Sequence, residues 1–420
     1  MFKRLQIKRI QIKRIQIKAI FLSFICTFLL NASTKPLLLI SIDGLRPADL
    51  SAKTAPNMWQ FAKEGTRAKS MKPIFPSLTF PNHYTLVTGL YSEKHGITGN
   101  EIRDPNIPER FSLGAPREVT NDPRWWIGEP IWVTAQKQGL RSGILFWPGS
   151  EAPIQNILPT HYLPYDYNMS TQERIEKLLS WVDLPIDERP EFFTLYIDTV
   201  DSAGHRYGPG STEVLAELKE VDNQLGTLFQ ALQERNLFNE MNIIIVSDHG
   251  MTALDSDKEI NVTDVLADFP GIEKVGSTGV VGFFSKSTQQ ITQLEKALKE
   301  KSKLYKVYQK KNIPARFHYK NSDRIPDLLL VGSEGTAITA RVPFFKTRGS
   351  TKGAHGYDNN LASMQAVFMT RGPSIEEGKV IENFDNIHVY SFMCKLLGIK
   401  AAPNNGRSSK LAAAIKKSKD

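Results

Sequence analysis

From Pro36 onward the chain alternates short, wholly apolar runs with longer stretches of helical periodicity. Pro36-Leu-Leu-Leu-Ile-Ser-Ile runs into Asp43-Gly44, and Arg141 to Trp147 runs into Pro148-Gly149. Glu191 to Ile197 runs into Asp198 and Asp201, and Asn242 to Val246 into Ser247-Asp248-His249-Gly250. Apolar runs this short, without polar alternation, predict strands buried on both faces, the pattern of a parallel sheet. Ala55 to Gly65, Glu129 to Gly139, Thr171 to Trp181 and Glu213 to Leu237 carry helical spacing. The alternation predicts an α/β fold with a central, mostly parallel sheet flanked by helices. Gly279 to Ser287 (strand), Gln289 to Lys303 (helix) and Arg324 to Val331 (strand) predict a smaller lobe inserted between residues 257 and 350. Met364 to Thr370 reads as a last strand and Asn386 to Leu397 as a last helix. Asp104 to Pro130, rich in Pro, Asn and Gly, predicts a long surface excursion, and Gly406 to Asp420 a basic, solvated tail.

One stretch does not fit core packing. In Phe75 to Asn100, Pro76 and Pro81 bracket Ser77 to Phe80, and Asn82 to Gly89 reads as a helix with Pro81 near its first turn. Thr79 then sits at the helix mouth, where free N–H groups and the helix dipole favour an anion. Alone, Thr79 reads first as an N-cap and only second as an activated nucleophile.

Charge alters the picture at one end only. The chain carries 53 Lys and Arg against 44 Asp and Glu, a net of +9. Lys3, Arg4, Lys8, Arg9, Lys13, Arg14 and Lys18 all lie in residues 1–33, which hold no acid. The remainder is nearly neutral and gives no electrostatic ground for nucleic-acid binding. Met1 to Lys18 forms a basic region, Ala19 to Leu30 an apolar one, and Ala32 and Ser33 are small. This predicts an export signal over 1–33, with an uncleaved anchor as the alternative. The apolar run is shorter than the about 20 residues of a stable span. Cys394 is then the single cysteine of the mature chain, which rules out an intramolecular disulfide or a Cys-based metal site. Export without disulfides points to a bacterial periplasm or cell surface.

The candidate chemistry gathers at strand ends and Gly-rich loops: Asp43, Asp201, His205, Asp248, His249 and His355, with Thr79. Asp201 and His205 are four apart, within reach of one ion, and Asp248 and His249 are adjacent at a strand end. Three His with three Asp suit Zn²⁺, and six ligands exceed what one catalytic zinc uses, so two ions are the simplest partition. A metal pair would activate the Thr79 hydroxyl and receive the leaving oxygen, as in phosphoryl transfer. Each residue taken singly also fits a turn cap or a core hydrogen bond. His83 and His95 flank the Thr79 helix and read as structural, while His161, His318 and His388 receive no role.

The stretches LLLISIDGLRPADL, PSLTFPNHYTLVTGLYSEKHGI, FWPGSE, DSAGHRYGP, IIIVSDHGM, GAHGYDN and NIHVYSFMCKLLGIKAAPNNG span nearly the whole mature chain. In content and order they resemble the ectonucleotide pyrophosphatase/phosphodiesterase family of the alkaline phosphatase superfamily. The resemblance implies an alkaline-phosphatase-like catalytic domain over 34–405. It implies Thr79 as nucleophile, with two zinc ions: Asp201, His205 and His355 match the ligands of one, and Asp43, Asp248, His249 and Thr79 those of the other. Asn100 matches the side chain that, with the Thr79 N–H, stabilises a phosphate oxygen. Phe80 and Tyr165 match positions that sandwich a base, and Trp147 lies in the same neighbourhood. The implied activity is a di-zinc phosphodiesterase/nucleotide pyrophosphatase that acts on a small nucleotide or other phosphodiester through a covalent threonyl intermediate. It would release a nucleoside 5′-monophosphate. Alternatives within the superfamily are a choline-phospholipid head-group phosphodiesterase, a phosphonate hydrolase and a phosphomonoesterase. A monoesterase pairs its nucleophile with an Arg, and the first Arg after Thr79 here is Arg103, past Asn100. An inactive exported binding protein is the alternative of another class.

Overall fold

The computed structural model describes residues 35–340 and 351–417. The leader expected over 1–33 lies outside the described residues. Among those described, no helix is long and apolar enough to cross a membrane.

Eight strands form the central sheet: β1 (Leu37–Ile42), β2 (Thr66–Ala68), β3 (Ser142–Leu145), β4 (His161–Leu163), β5 (Phe192–Ile197), β6 (Asn242–Val246), β7 (Phe368–Arg371) and β8 (Lys379–Ile381). Their spatial order is β8-β2-β7-β6-β1-β5-β3-β4. All neighbours run parallel except β7, which lies antiparallel between β2 and β6. The register pairs Ile42 with Ile197 and Ser41 with Val246, so β5, β1 and β6 end level with one another. In an open α/β sheet that shared carboxyl edge is where a site forms.

The apolar runs lack alternation because both faces of the sheet are covered. Leu37 and Leu39 face a core with Trp132, Tyr390 and Phe392, while Leu38, Ile40 and Ile42 face another with Phe61, Leu218 and Leu225. The helices that supply these cores include α1 (Pro56–Glu64), α2 (Thr79–Thr88), α3 (Thr171–Val182), α4 (Thr199–Tyr207) and α5 (Thr212–Glu234). The start of α3 is set by a capping box: Glu173 N–H donates to Ser170 Oγ at 3.3 Å, and Ser170 N–H to Glu173 Oε2 at 2.7 Å.

The inserted lobe is a four-stranded antiparallel sheet in the order Glu273–Ser277, Val280–Phe284, Leu328–Gly332, Tyr305–Gln309. A helix over Thr288–Lys301 packs Ile291, Leu294 and Leu298 onto Val281, Phe283, Leu328 and Leu330. Sequence pattern predicts the two inner strands and misses the two outer ones. Outer strands are half-solvated, so their residues show neither a clean apolar run nor a clean alternation.

Three expectations need correction. Asp104 to Pro130 lies largely at the surface, as expected, but is not a loose excursion: Glu101–Asp104 and Ile107–Ser112 form a hairpin, and Phe111, Trp125 and Trp126 are core residues. Their aromatic area outweighs the turn-rich composition around them. The segment from Gly406 is not a solvated tail. Leu411 and Ala414 are fully buried, and Glu376 N–H and Lys416 N–H bond across to Ala414 and Ser374 carbonyls, each at 2.9 Å. Finally, Asp201 and His205 lie on α4 rather than in a loop.

Arg324, in the turn ahead of the lobe's inner strand Leu328–Gly332, joins the lobe to the corrected segment. It is 5 % exposed and donates to Asp104 Oδ2 at 2.6 Å and to the carbonyls of Gly96, Trp125 and Arg124 at 3.1, 2.6 and 2.7 Å. Arg324→Met is expected to cost about 3–5 kcal/mol by denaturant unfolding, because Asp104 and three carbonyls lose their donor. Burial opposes ionisation of Asp104, but its bond to Arg324 outweighs that and lowers its pKa. A lowered acid stabilises the fold above its unfolded pKa of about 3.9 and ceases to as pH falls through the folded value. The wild-type advantage over the variant should therefore shrink below about pH 4.

Candidate active site

Three neighbouring strands deliver acids to one edge. β1 ends in Asp43, β6 runs through Ser247 into Asp248 and His249, and β5 leads through Asp198 into α4, which carries Asp201 and His205 one helical turn apart. Gly44 has a φ of +68°, and a Cβ there would meet Asp201 Cα at 3.1 Å. Its N–H donates to Asp248 Oδ1 at 3.2 Å. The left-handed turn that only glycine takes freely thus brings β1, α4 and the β6 loop into contact. Gly353 does the same for His355: a Cβ would stand 2.3 Å from the Gly204 carbonyl, and the Gly353 carbonyl accepts from His205 Nδ1 at 2.8 Å.

The ligand-type residues fall into two groups. Asp201, His205 and His355 each present an atom within 4.8 Å of the others, and so do Asp43, Asp248 and His249. In the first, His205 Nε2 lies 3.4 Å from Asp201 Oδ2 and 3.2 Å from His355 Nε2. In the second, His249 Nε2 lies 2.9 Å from Asp248 Oδ2 and 3.6 Å from Asp43 Oδ1. The His249 and His355 rings stack at 3.7 Å between centroids, which joins the groups. All three imidazoles are oriented alike. Nδ1 of His205, His249 and His355 bonds to the carbonyls of Gly353, Gly250 and Ser77 at 2.8, 2.9 and 3.0 Å. That leaves Nε2 facing the site, the arrangement that fixes the tautomer of a metal ligand.

The electrostatics suit cations. Burial first, then the charges of Asp248 and Asp201, push the Asp43 carboxyl well above the ordinary carboxylate range. Burial also raises Asp201, against the pull of His205 and His249. Burial acts the same way on Asp248, but the charges of His249 and His83 outweigh it and hold that carboxyl well below its usual range. Burial, helped by the charges of His249 and His205, keeps His355 neutral. Asp43 Oδ1 and Asp201 Oδ1 are buried without a hydrogen-bond donor. Buried carboxylate oxygens are costly unless paired or bound to metal, so the donor set of both groups fits a cation.

Thr79 is the first residue of α2, three positions earlier than sequence pattern places the helix start, and its Oγ1 lies 3.2 Å from His249 Nε2. The turn before it is clamped by the fully buried Asn82. That side chain accepts from Ile74 N–H at 2.8 Å and donates to the Pro76 and Leu78 carbonyls at 3.0 and 2.9 Å. Asn100 Oδ1 accepts from Phe80 N–H at 3.1 Å, which holds the amide beside the helix mouth. Phe80, Trp147 and Tyr165 line one cleft of about 470 Å³ with Asp43, Thr79 and Asp201. Phe80 is half-buried against Phe111 and Trp126, and Tyr165 is 38 % exposed. Trp147 is nearly buried, and its Nε1–H donates to the His83 carbonyl at 3.0 Å.

His83 is the residue that sequence reading undervalued. Its Nδ1 lies 3.0 Å from the Thr79 carbonyl and 3.4 Å from Asp248 Oδ2, and its Nε2 lies 2.8 Å from Ser41 Oγ. The Thr79 carbonyl can only accept, which assigns the proton to Nδ1, and the same nitrogen faces Asp248 Oδ2, so His83 links the backbone of Thr79 to the Asp248 carboxylate. The i,i+4 spacing from Thr79 on one helix was the available signal. His83→Phe is expected to lower kcat about 10–100-fold and to weaken metal retention. His83→Asn, whose amide approximates the Nδ1 donor, should recover part of both.

The model of the type I phosphodiesterase/nucleotide pyrophosphatase family matches residues 37–358. The chain is 39 % identical over 391 residues to venom phosphodiesterase CdcPDE of Crotalus durissus collilineatus, covering 91 % of this chain and 46 % of that protein. It is 39 % identical over 393 residues to human ectonucleotide pyrophosphatase/phosphodiesterase family member 1, covering 91 % of this chain and 42 % of the relative. The chain thus spans about half the length of the curated relatives it matches. Among solved structures, an inactive threonine-to-alanine variant of murine ectonucleotide pyrophosphatase/phosphodiesterase 5, in complex with AMP, superposes with a TM-score of 0.85 at 32 % identity. That match covers 91 % of this chain and 100 % of the murine one.

Proposed function

The chain belongs to the type I phosphodiesterase/nucleotide pyrophosphatase family, and from that premise we propose that it hydrolyses a nucleotide phosphodiester or pyrophosphate bond and releases a nucleoside 5′-monophosphate. The observation that carries this is the Thr79 hydroxyl, 3.2 Å from His249 at the junction of two acid–imidazole groups. Asp201, His205 and His355 would hold one zinc ion, and Asp43, Asp248 and His249, with Thr79, a second. Bound there, two cations would polarise the phosphoryl oxygens and favour ionisation of the Thr79 hydroxyl.

The chain's own groups do the rest. Thr79 Oγ forms a bond to phosphorus and gives its proton to solvent, while the bond to the leaving oxygen breaks and that oxygen takes a proton from water. In the second step a water oxygen bonds to phosphorus, the Thr79 Oγ–P bond breaks, and Thr79 regains its proton. The Asn100 amide and the Thr79 N–H at the start of α2 donate to a non-bridging oxygen, where negative charge accumulates. Phe80 and Tyr165 take the base between their faces, with Trp147 forming the floor of the cleft. We place the protein outside the cytoplasm, in a bacterial periplasm or at a cell surface, on the basic and apolar character of residues 1–33.

The test is hydrolysis of the p-nitrophenyl ester of thymidine 5′-monophosphate by zinc-supplied protein, beside bis- and mono-p-nitrophenyl phosphate. Rapid diester turnover with little monoester turnover is expected. Monoester preference would move the reading to a phosphomonoesterase. Absence of turnover on any diester by metal-loaded protein would overturn it.

A further inference from the structure

A second cavity, of about 390 Å³, adjoins the site and shares one lining residue, Leu113, with the base cleft. Asp43, Thr79 and Asp201 lie in the wall of the base cleft, whereas Asn100, His205 and His355 lie in the wall of this one. The two cavities thus meet where phosphorus would sit. A diester bound there has its two halves in different chambers, with the nucleotide that Thr79 retains in one and the departing group in the other.

The inserted lobe builds the far wall. Val280 and Leu329 come from its inner strands, Pro326 from their approach and Tyr319 from the preceding loop, and Leu78 closes the near side. Left-handed backbone at Gly276, near the end of the outer strand (φ +77°), and at Thr278, in the turn after it (φ +62°), flanks Ser277 at the rim. Hydroxyls of Thr98, Ser112 and Ser277 supply neutral polar contacts. Among the described residues no Lys or Arg lines the cavity, while the base cleft has Arg117. Glu101, which also lines it, accepts from Gly276 N–H at 3.0 Å.

We infer that this cavity is the leaving-group site and that it selects an uncharged alcohol, such as a nucleoside, over a polyphosphate. The inference rests on the reading of Thr79 as nucleophile and narrows its substrate class. Pyrophosphate as a leaving group needs charge-assisted donors, usually Lys or Arg. A nucleoside needs apolar walls and a few hydroxyl contacts in a space of at least about 300 Å³. The described lining supplies the second set.

The experiment compares the dinucleoside monophosphate ApA with ATP on the zinc-loaded protein, with the p-nitrophenyl ester of thymidine 5′-monophosphate as reference. In both adenosine compounds water adds across one P–O bond and AMP forms. The leaving oxygen departs as an adenosine hydroxyl from ApA and on pyrophosphate from ATP. We expect kcat/KM for ApA to exceed that for ATP by about tenfold or more, although ATP carries the better leaving group. Ser277→Lys should raise the ATP:ApA ratio by about tenfold, the scale of one added charge pair, and Ser277→Gln should not. ATP cleaved as readily as ApA by the wild type would overturn the inference and leave the proposed function standing. An unmoved ratio in Ser277→Lys would overturn the placement of the leaving group. If the reference ester is also untouched, the proposed function fails and the inference with it.

Discussion

Thr79→Ala is expected to lower kcat for the p-nitrophenyl ester of thymidine 5′-monophosphate by about 10⁴-fold or more, with KM changed little. The hydroxyl stands at the junction of the two acid–imidazole groups, its Oγ1 3.2 Å from His249 Nε2. The substitution removes a single oxygen and a methyl from a half-buried residue at the first position of α2. The helix start is held by the Asn82 clamp, not by a Thr79 cap, since no side-chain cap bond is made there. The variant should therefore fold, keep its metal and bind nucleotide. Intact protein quenched during turnover should carry one added nucleotidyl mass in the wild type and none in Thr79→Ala. Full activity in the variant would sink the covalent mechanism, and an added mass in the variant would place the nucleophile elsewhere.

Chelation is expected to abolish diester hydrolysis and to lower Tm by several degrees, with zinc restoring both. A ligand present at about 1,000 times its Kd stabilises the folded form by about 4 kcal/mol. Part of that is electrostatic relief. Asp43 and Asp248 are buried and Asp201 half-buried beside three imidazoles, and Asp43 Oδ1 and Asp201 Oδ1 have no donor. Without cations these oxygens are desolvated and unpaired. Elemental analysis should give about two zinc per chain, falling toward one in His205→Ala or Asp43→Ala, because each variant breaks a different group. Undiminished hydrolysis in metal-free protein would exclude the metal-assisted reading. Retention of both ions in the two variants would overturn the partition of ligands.

The central strands and the acids at their ends can be read from local pattern. A strand covered on both faces must be apolar throughout, so β1, β5 and β6 announce themselves, and a polar residue immediately after such a run has little choice but to lie at the sheet edge. Asp43, Asp248 and His249 were legible for that reason, and Thr79 through its setting between two prolines before a helix. Long motifs carried the family resemblance for the same stretches. What local pattern could not give was anything made by contacts distant in the chain. His355 is oriented by the carbonyl of Ser77, and His205 by that of Gly353, which approaches Gly204 more closely than any side chain would allow. His83 looked structural because its partners, Ser41 and Asp248, lie on two other strands or their ends. The outer strands of the lobe stayed hidden because half-solvated positions carry mixed residues, and Trp125, Trp126 and Leu411 because turn-rich or basic neighbours masked single apolar anchors. The leaving-group cavity has no local signature: the lobe supplies one wall, the helices and loops outside the main sheet's edge the other, and only their packing encloses the space.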